Sequence, residues 1–230
     1  MIFILNFHTD LISKLIFSSK EEQFWDAADK GDLSLVKKLA ADTTLDVNWQ
    51  GNSALTAFNQ ACNEGRVSVV QFLLTLPTVN VNKPQKDGAA PFFKACRQGH
   101  KEVVSLLLAD TRIDVNKPAD EQLTPLWFAA QNGHLPVVQL LLASSRKMDT
   151  KAKSKAGTGG WNKTAAENAR VNGTRTKTAT ESKEDYTRKK QNGPLIATLI
   201  DSYEQNPRKF APNSERNWVS WKPGWNLNLE

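Results

Sequence analysis

Cysteine, histidine and long apolar runs are all scarce in this chain of 230 residues. The two cysteines, Cys62 and Cys96, cannot form a disulfide framework and indicate a reducing compartment. Only three histidines are present, His8, His100 and His134, and no cysteines stand at zinc spacing, so we expect no metal site. No segment approaches the roughly 18 apolar residues that cross a bilayer. The sequence therefore predicts no transmembrane segment and a location in the cytoplasm, with the nucleus as the alternative.

The sequence patterns of common catalytic sites are also absent. There is no Gly-rich phosphate loop, no G-x-S-x-G and no H-E-x-x-H. Carboxylates are plentiful, but they fall where solvated surface is expected. We therefore predict neither an enzymatic activity nor a cofactor.

Positive charge is concentrated in the last third of the chain. Residues 1–150 carry 15 Lys/Arg against 16 Asp/Glu, whereas residues 151–230 carry 15 against 8. Between 151 and 190 there are 11 basic and four acidic residues. We interpret this stretch as a solubilising insertion. The alternatives are contact with nucleic acid or an anionic surface, and a nuclear import signal.

A period of 34 residues organises most of the chain. Each period has a short segment with an Ala-Ala or Ala-Cys pair, a glycine, and then an apolar stripe at helical spacing. Glycine suits a turn with positive φ, so each period predicts a helix, a turn and a second helix. Such units bury their apolar faces only by stacking on one another. The repeated glycines are Gly31, Gly65, Gly99 and Gly133.

The best-preserved period resembles a known repeat family. Thr124-Pro-Leu-Trp-Phe-Ala-Ala-Gln-Asn-Gly-His134 is similar to the ankyrin signature T-P-L-H-x-A-A-x-x-G-H, and Ala90 to His100 is similar to it as well. The resemblance covers about residues 21–206. It implies an all-α solenoid of stacked helix-turn-helix units with short hairpin loops. The signature's His is replaced, so the hydrogen bond it makes is missing or made by another group; the replacements are Trp25, Asn59, Phe93 and Trp127.

The same resemblance divides the chain into repeats. Four lie at about 21–50, 51–84, 85–118 and 119–152, and an interrupted C-terminal repeat lies at 157–206. Its first helix is expected at 164–173 and its second at 194–203. The basic insertion near 174–192 is expected to be mobile or to extend the first helix outward.

The two ends of the chain carry weaker signals. Residues 1–20 are expected to form a capping helix on the first repeat; a loose tail or a membrane or partner anchor are the alternatives. Residues 207–230 contain three tryptophans and three prolines, and we expect a disordered tail. Folding back on the stack, or a short recognition segment, is the alternative.

Four residues are assigned to the fold and not to chemistry. His100 and His134 follow turn glycines, where the histidine of the ankyrin family is structural. Cys62 and Cys96 hold the same position in adjacent repeats. Packed helices lie about 8–10 Å apart, whereas a disulfide needs Cα atoms within about 7 Å. We therefore predict unpaired, buried thiols.

The resemblance also implies where a partner binds, namely the concave side formed by hairpin tips and first helices. Among the aromatic residues, Trp49 is the better candidate for an exposed anchor, whereas Phe93 and Trp127 are expected to fill the space left by the missing histidine. Transferred by position, the tip residues are Trp49, Asn52, Ser53, Lys86, Asp87, Ala89, Asp120, Glu121 and Leu123, and the helix residues are Asn63, Glu64, Arg97, Gln98, Gln131 and Asn132.

These observations predict a monomeric interaction module or adaptor that binds another protein. The alternative is a protein that binds a polyanion, nucleic acid or an anionic membrane, through the basic residues 151–190. Ankyrin-like architecture alone does not choose between these functions.

Overall fold

The computed structural model describes residues 19–51, 54–155, 162–207 and 210. Within these ranges the chain forms ten α-helices and no strand, which confirms the all-α prediction. The helices are α1 Lys20–Lys30, α2 Leu33–Ala40, α3 Ala57–Asn63, α4 Val67–Leu74, α5 Pro91–Gln98, α6 Lys101–Ala109, α7 Pro125–Gln131, α8 Leu135–Ala143, α9 Ala165–Thr174 and α10 Lys183–Gln205; a 3-10 turn spans Asp120–Gln122.

The helices form two stacked layers. The odd-numbered helices are the first helices of five successive units, and each packs against the first helix of the next unit. The even-numbered helices are the second helices, and they stack on one another in the same order. Each unit therefore contacts its immediate neighbours, which is the architecture of a solenoid.

Local chemistry sets where the first helices begin and end. The hydroxyls of Thr56, Thr124 and Thr164 each accept a hydrogen bond from the backbone N–H three residues further on. This satisfies an N–H group that the helix itself leaves unpaired. Pro125 occupies the first helical position, where its missing N–H costs nothing. At the other end, Gly99 has a φ of 83°, which glycine adopts without strain.

Small side chains line the interface between first helices. Ala61, Ala95 and Ala129 are fully buried, and so are Cys62 and Cys96. Both cysteines are unpaired, as predicted. Their small volume lets neighbouring helices approach closely, while the second helices bury larger groups. These larger groups are Val36, Val69, Val70, Leu73, Val103, Val104, Leu107, Val137, Val138 and Leu141.

A row of asparagines joins the loops of successive units. Asn48, Asn82 and Asn116 each donate from Nδ2 to a carbonyl oxygen in the next loop, at 2.8, 2.6 and 2.8 Å respectively. Each Oδ1 also accepts a backbone N–H of that loop, at 2.7, 2.9 and 2.9 Å. The side chains thereby replace the backbone ladder that two strands would form.

The last unit differs from the sequence-based expectation. Its first helix, α9, ends at Thr174, and residues 183–192 form the first part of α10. The prediction that the insertion is mobile or extends the first helix is therefore wrong for these ten residues. Ser182 begins α10 because its Oγ accepts the N–H of Asp185 at 3.0 Å. Arg188 connects this part of the helix to the turn of the fourth repeat, because its Nε donates a hydrogen bond to the carbonyl of Asn132 at 2.9 Å.

Several predictions fall on other parts of the chain. The capping helix at 1–20 lies outside the described residues, apart from Ser19 and Lys20, which begin α1. The tail at 207–230 also lies outside them, apart from Pro207 and Phe210. Among the described residues, no helix combines the length and apolar character needed to cross a membrane.

Candidate partner-binding surface

The hairpin loops stack into a continuous ridge beside the first helices. One loop is closed by the N–H of Gln85 donating to the carbonyl of Ala89 at 3.1 Å, and the next by Ala119 donating to Leu123 at 2.9 Å. The N–H of Asp120 donates to the carbonyl of Asp87 at 2.9 Å and thus joins the two loops. Tip residues of different repeats are therefore held in a fixed relationship.

The structure separates the predicted tip residues into two groups. Lys86, Asp120 and Glu121 are exposed, whereas Asp87 and Leu123 are half-buried. Asn52 and Ser53 lie outside the described residues. The exposed group can meet a partner directly.

Ala89 is a correction to the predicted set. It is completely buried, and its carbonyl accepts hydrogen bonds from the N–H of Gln85 and from Nδ2 of Asn59, the latter at 3.3 Å. The chain has already turned back from the tip toward α5 at this point. Ala89 therefore supports the loop and cannot contact a partner.

The predicted aromatic residues have different surroundings. Trp49 is half-buried, and its ring lies so close to Gly51 that a β-carbon there would stand 2.7 Å from it. Only part of this ring is available as an anchor. Phe93 and Trp127 are each 2% exposed, as expected for residues that fill the histidine position.

Two of the histidine replacements also restore a hydrogen bond. Asn59 donates to the carbonyl of Ala89, and Trp127 Nε1 donates to the carbonyl of Lys163 at 3.0 Å. Each acceptor belongs to the residue directly before the N-cap of the first helix in the next repeat. The bond is thus replaced in these two repeats.

The predicted helix residues form a linked row at the turn ends of the first helices. Glu64, Arg97 and Gln98 are exposed, and Asn63, Gln131 and Asn132 are half-buried. Gln98 Nε2 donates to Asn63 Oδ1 at 3.2 Å, and Asn132 Nδ2 donates to the carbonyl of Arg97 at 2.8 Å. The side chains of successive repeats are therefore positioned by one another.

A further set of residues was missed from the sequence. They lie three residues before the predicted helix positions, on the same helical face. Gln60, Lys94 and Phe128 are again 34 residues apart, and Asn168 follows after the longer fifth hairpin. The period that located the glycines contains this signal. We use the term inner surface for the exposed predicted residues together with this set.

Lys94 sits deep in the inner surface. Its side chain is 9% exposed, and its Nζ lies 3.6 Å from the carboxylate of Asp87. Burial lowers the pKa of Lys94, and the negative charge of Asp87 opposes that change. This ion pair links the third hairpin to α5 and places a positive charge at the floor of the surface.

An aromatic cluster continues the surface into the fourth repeat. Phe128 is half-buried and packs edge-on against Phe93 and Trp127, with ring centroids 5.1 and 5.2 Å apart. The guanidinium of Arg97 lies over its ring, 5.3 Å from the centroid. Phe128 is therefore held in one orientation with one face toward a cation.

Charge changes sign along the first helices. In the first two repeats the described residues on this face include Asp26, Asp29 and Glu64, although Lys30 pairs with Asp26 at 3.8 Å. In the third repeat the corresponding positions carry Lys94 and Arg97. Two acidic repeats are thus followed by one basic repeat.

Metal-binding side chains are not gathered anywhere in the described ranges. No cluster of three or more His, Cys, Asp or Glu side chains there could hold a metal ion. Burial raises the pKa of the Cys96 thiol, which keeps it protonated and unreactive. His100 and His134 each bond through Nε2 to a carbonyl of the preceding repeat, at 2.8 and 3.0 Å.

Comparison with known proteins agrees with this geometry. The family model for ankyrin repeats (3 copies) matches residues 24–119 and 58–154, which together cover more than half of the chain. This chain belongs to the ankyrin-repeat family. Ankyrin repeats generally mediate protein–protein interaction and are typically non-catalytic binding modules. No curated protein matches the chain at a significant level.

Beyond the matched residues, α9 and α10 add a fifth unit to the ankyrin stack. The backbone of Lys189 lies so close to Gly133 that a β-carbon there would stand 2.9 Å from its Cα. Asn192 donates from Nδ2 to the carbonyl of Gly133 at 2.8 Å. The N-terminal half of α10 therefore covers the turn at Gly133, as His100 and His134 cover the turns at Gly65 and Gly99.

Proposed function

We propose that this ankyrin-repeat chain is a monomeric adaptor, in the cytoplasm or the nucleus, that binds a partner protein through its inner surface. The proposal places the strongest contacts at the third to fifth repeats. The single observation that carries it is the pair formed by Arg97 and Phe128. Arginine is over-represented among the residues that dominate interface energies, and phenylalanine is enriched at the centre of protein interfaces.

Rigidity supports the same assignment. Phe128 is wedged against two buried aromatic rings, and Arg97 is exposed above it. A side chain that is already ordered loses little conformational entropy when a partner binds. The surrounding linked polar row supplies hydrogen-bonding groups at the margin of this contact.

Binding of a polyanion through residues 151–190 has less support. Arg175 and Lys189 both pair with Glu181, and Arg188 pairs with Asp185 at 2.5 Å. These cations contribute to the fold of the last repeat, so fewer of them remain for phosphates. Polyanion binding is nevertheless a distinct outcome of the experiment below.

The test is affinity capture from a lysate with the full chain and three variants. Arg97→Glu and Phe128→Ala alter the inner surface. Lys101→Glu makes the same charge reversal at an exposed position on α6, in the other layer of the same repeat. Washing at high salt and treatment with nuclease remove proteins that are held through nucleic acid or by charge alone.

We expect a set of proteins to be retained by the wild type and by Lys101→Glu, and lost from Arg97→Glu and Phe128→Ala. Circular dichroism and urea melts of all four proteins show whether each variant is folded. Retention by all variants alike would contradict the inner surface as the site. Release of every captured protein by salt or nuclease would assign polyanion binding instead.

A further inference from the structure

A cleft of about 270 Å³ opens at the C-terminal end of the inner surface, between α7, α9 and the start of α10. Helix α10 provides one wall because its N-terminal half folds over the turn of the fourth repeat. The lining residues are Gln131, Lys163, Asn168, Val171, Asn172, Arg175 and Lys189.

The charge of the cleft is positive. Its lining includes Lys163, Arg175 and Lys189 and no acidic residue. Glu181, which is not a lining residue, pairs with Arg175 and with Lys189, the latter at 3.1 Å. One carboxylate is therefore shared by two cations, and Lys163 has no ion pair among the described residues.

One of the residues that line the cleft, Asn168, carries a buried hydrogen-bond donor. Asn168 is 4% exposed, and its Nδ2 has no hydrogen-bond partner within the described part of the chain. Its neighbour Asn172, by contrast, donates to the carbonyl of Gln131 at 2.8 Å. A buried N–H without an acceptor loses its hydrogen bonds to water without replacement, so native proteins rarely leave one unpaired. An acceptor supplied by a ligand would remove this cost.

We propose that this cleft binds the side-chain carboxylate of an acidic segment of the partner protein. The Asn168 amide donates to one carboxylate oxygen. The compensating charge comes from Lys163 and from the one positive charge that Glu181 leaves unbalanced on Arg175 and Lys189. Hydrogen bonds to a charged acceptor are about twice as strong as those between neutral groups. This inference rests on the proposed function, because it describes the end of the same binding surface.

The distribution of charge along the first helices also favours one orientation of the bound partner. On the same face of the first helices, the first two repeats carry Asp26, Asp29 and Glu64, which repel an acidic segment, while the cleft attracts one. Complementary charge across an interface fixes register and orientation more than it raises affinity. The acidic part of the partner is thus held at the fifth repeat.

The experiment is an NMR titration of the full chain labelled with ¹⁵N, at physiological salt. The probe is hexaglutamate with an acetylated N-terminus and an amidated C-terminus, so that only side-chain carboxylates are present. Hexaglutamine with the same ends is the neutral control, and hexauridylate represents nucleic acid. The side-chain amide signals of Asn168 are assigned by their disappearance in Asn168→Asp, which keeps the size of the residue.

We expect the Asn168 signals to shift saturably with hexaglutamate and not with hexaglutamine. Lys163→Glu should weaken hexaglutamate binding by about tenfold or more, since it reverses the unpaired charge of the cleft. Lys101→Glu, on α6, should bind as the wild type does. Unshifted signals elsewhere in the spectrum show that each variant keeps its fold.

Three results would overturn the proposal: no saturable shift at Asn168, an equal shift with hexaglutamine, or tighter binding of hexauridylate. The capture experiment tests a different part of the surface, because Arg97 and Phe128 do not line the cleft. Specific capture without a shift at Asn168 would therefore reject the cleft alone. A saturable shift without specific capture would reject the proposed adaptor function and leave the carboxylate site.

Discussion

The imidazole of His134 lies against Gly99, the turn glycine of the preceding repeat. A β-carbon built on Gly99 would stand only 2.5 Å from Nδ1 of the ring, and Nε2 lies 3.0 Å from the carbonyl oxygen of Arg97. The turn glycine of one repeat and the histidine of the next therefore form one contact, which we call a joint between repeats. His100 covers Gly65 in the same way.

Replacing Gly99 with alanine should destabilise the stack by about 2 kcal/mol. Part of this cost is conformational, because an L-residue loses about 1–2 kcal/mol when it adopts a left-handed φ such as the 83° found here. The other part comes from the close contact between the new β-carbon and His134. Urea melts of Gly99→Ala, His134→Ala and the double variant separate the two. The Gly99→Ala cost should be smaller when His134 is already alanine. Strictly additive costs would mean that the ring does not restrict the glycine.

The same histidine should make stability depend on pH. Burial and the nearby Arg188 lower the pKa of His134 to about 4, whereas an unfolded chain has a value near 6.5. Between these values the unfolded state binds more protons, so acidification favours unfolding. The free energy of unfolding should therefore fall as pH drops from about 6.5 to 4, by at most about 1.4 kcal/mol per pH unit from this residue.

Urea melts across this range, with His134→Gln as the comparison, measure the contribution. The variant keeps the carboxylates, whose own titration is common to both proteins. Its stability profile should be flatter than that of the wild type between pH 6.5 and 4. Parallel profiles would show that His134 does not titrate within this window.

Periodicity was sufficient to predict the stack but not the joints within it. Glycines 34 residues apart identify the turns, and small residues before them identify the helix interface. The hydrogen bonds between repeats are harder to predict from the sequence. Asn48 and Asn82 join loops through contacts whose partners lie some 30 residues away, and asparagine next to a loop is equally common without such a role.

The inner surface was predicted only in part, because sequence position does not show which residues surround a side chain. Residues before the turn glycine were found by position, whereas Phe128 and Asn168 were not, because their importance depends on what surrounds them. Position in the repeat also misled at Ala89, which was placed at a hairpin tip but is completely buried. The continuous helix from Lys183 was missed because Gly193 and Pro194 interrupt its pattern.

The hydrogen bond from Trp127 to Lys163 should contribute about 1 kcal/mol to the attachment of the fifth repeat. Trp127→Phe removes the donor together with part of the ring. Trp25 is the matched control, since it holds the equivalent position in the first repeat and its buried Nε1 has no partner among the described residues. Trp25→Phe should therefore cost less than Trp127→Phe, or stabilise the fold. Equal losses in thermal or urea melts would mean that the bond has no net value.

Replacing one asparagine of the row should weaken the contact between the loop that follows α4 and the loop that follows α6. Asn82→Ala loses the bonds to the carbonyl of Arg112 and the N–H of Asp114, at a cost of about 1–2 kcal/mol. Asn82→Asp keeps an acceptor for the N–H of Asp114 but no donor for the carbonyl, so its cost should be intermediate. Urea melts give both values. An Asn82→Asp variant as unstable as Asn82→Ala would show that only the donated bond matters.

Backbone strain at the fourth hairpin should be relieved by a single glycine. Gln122 has a φ of 60° and occupies the position that Gly88, with a φ of 74°, holds one repeat earlier. Glycine tolerates this conformation, whereas other L-residues adopt it at a cost of about 1–2 kcal/mol, partly offset by the greater freedom of glycine in the unfolded chain. Gln122→Gly should therefore raise the free energy of unfolding by about 0.5–1 kcal/mol. Gly88→Ala is the reverse change, and it should lower stability, because its β-carbon would also stand 3.2 Å from the backbone nitrogen of Asp120. If Gln122→Gly lost stability while Gly88→Ala were neutral, the tip conformation would not carry the strain that its φ values imply.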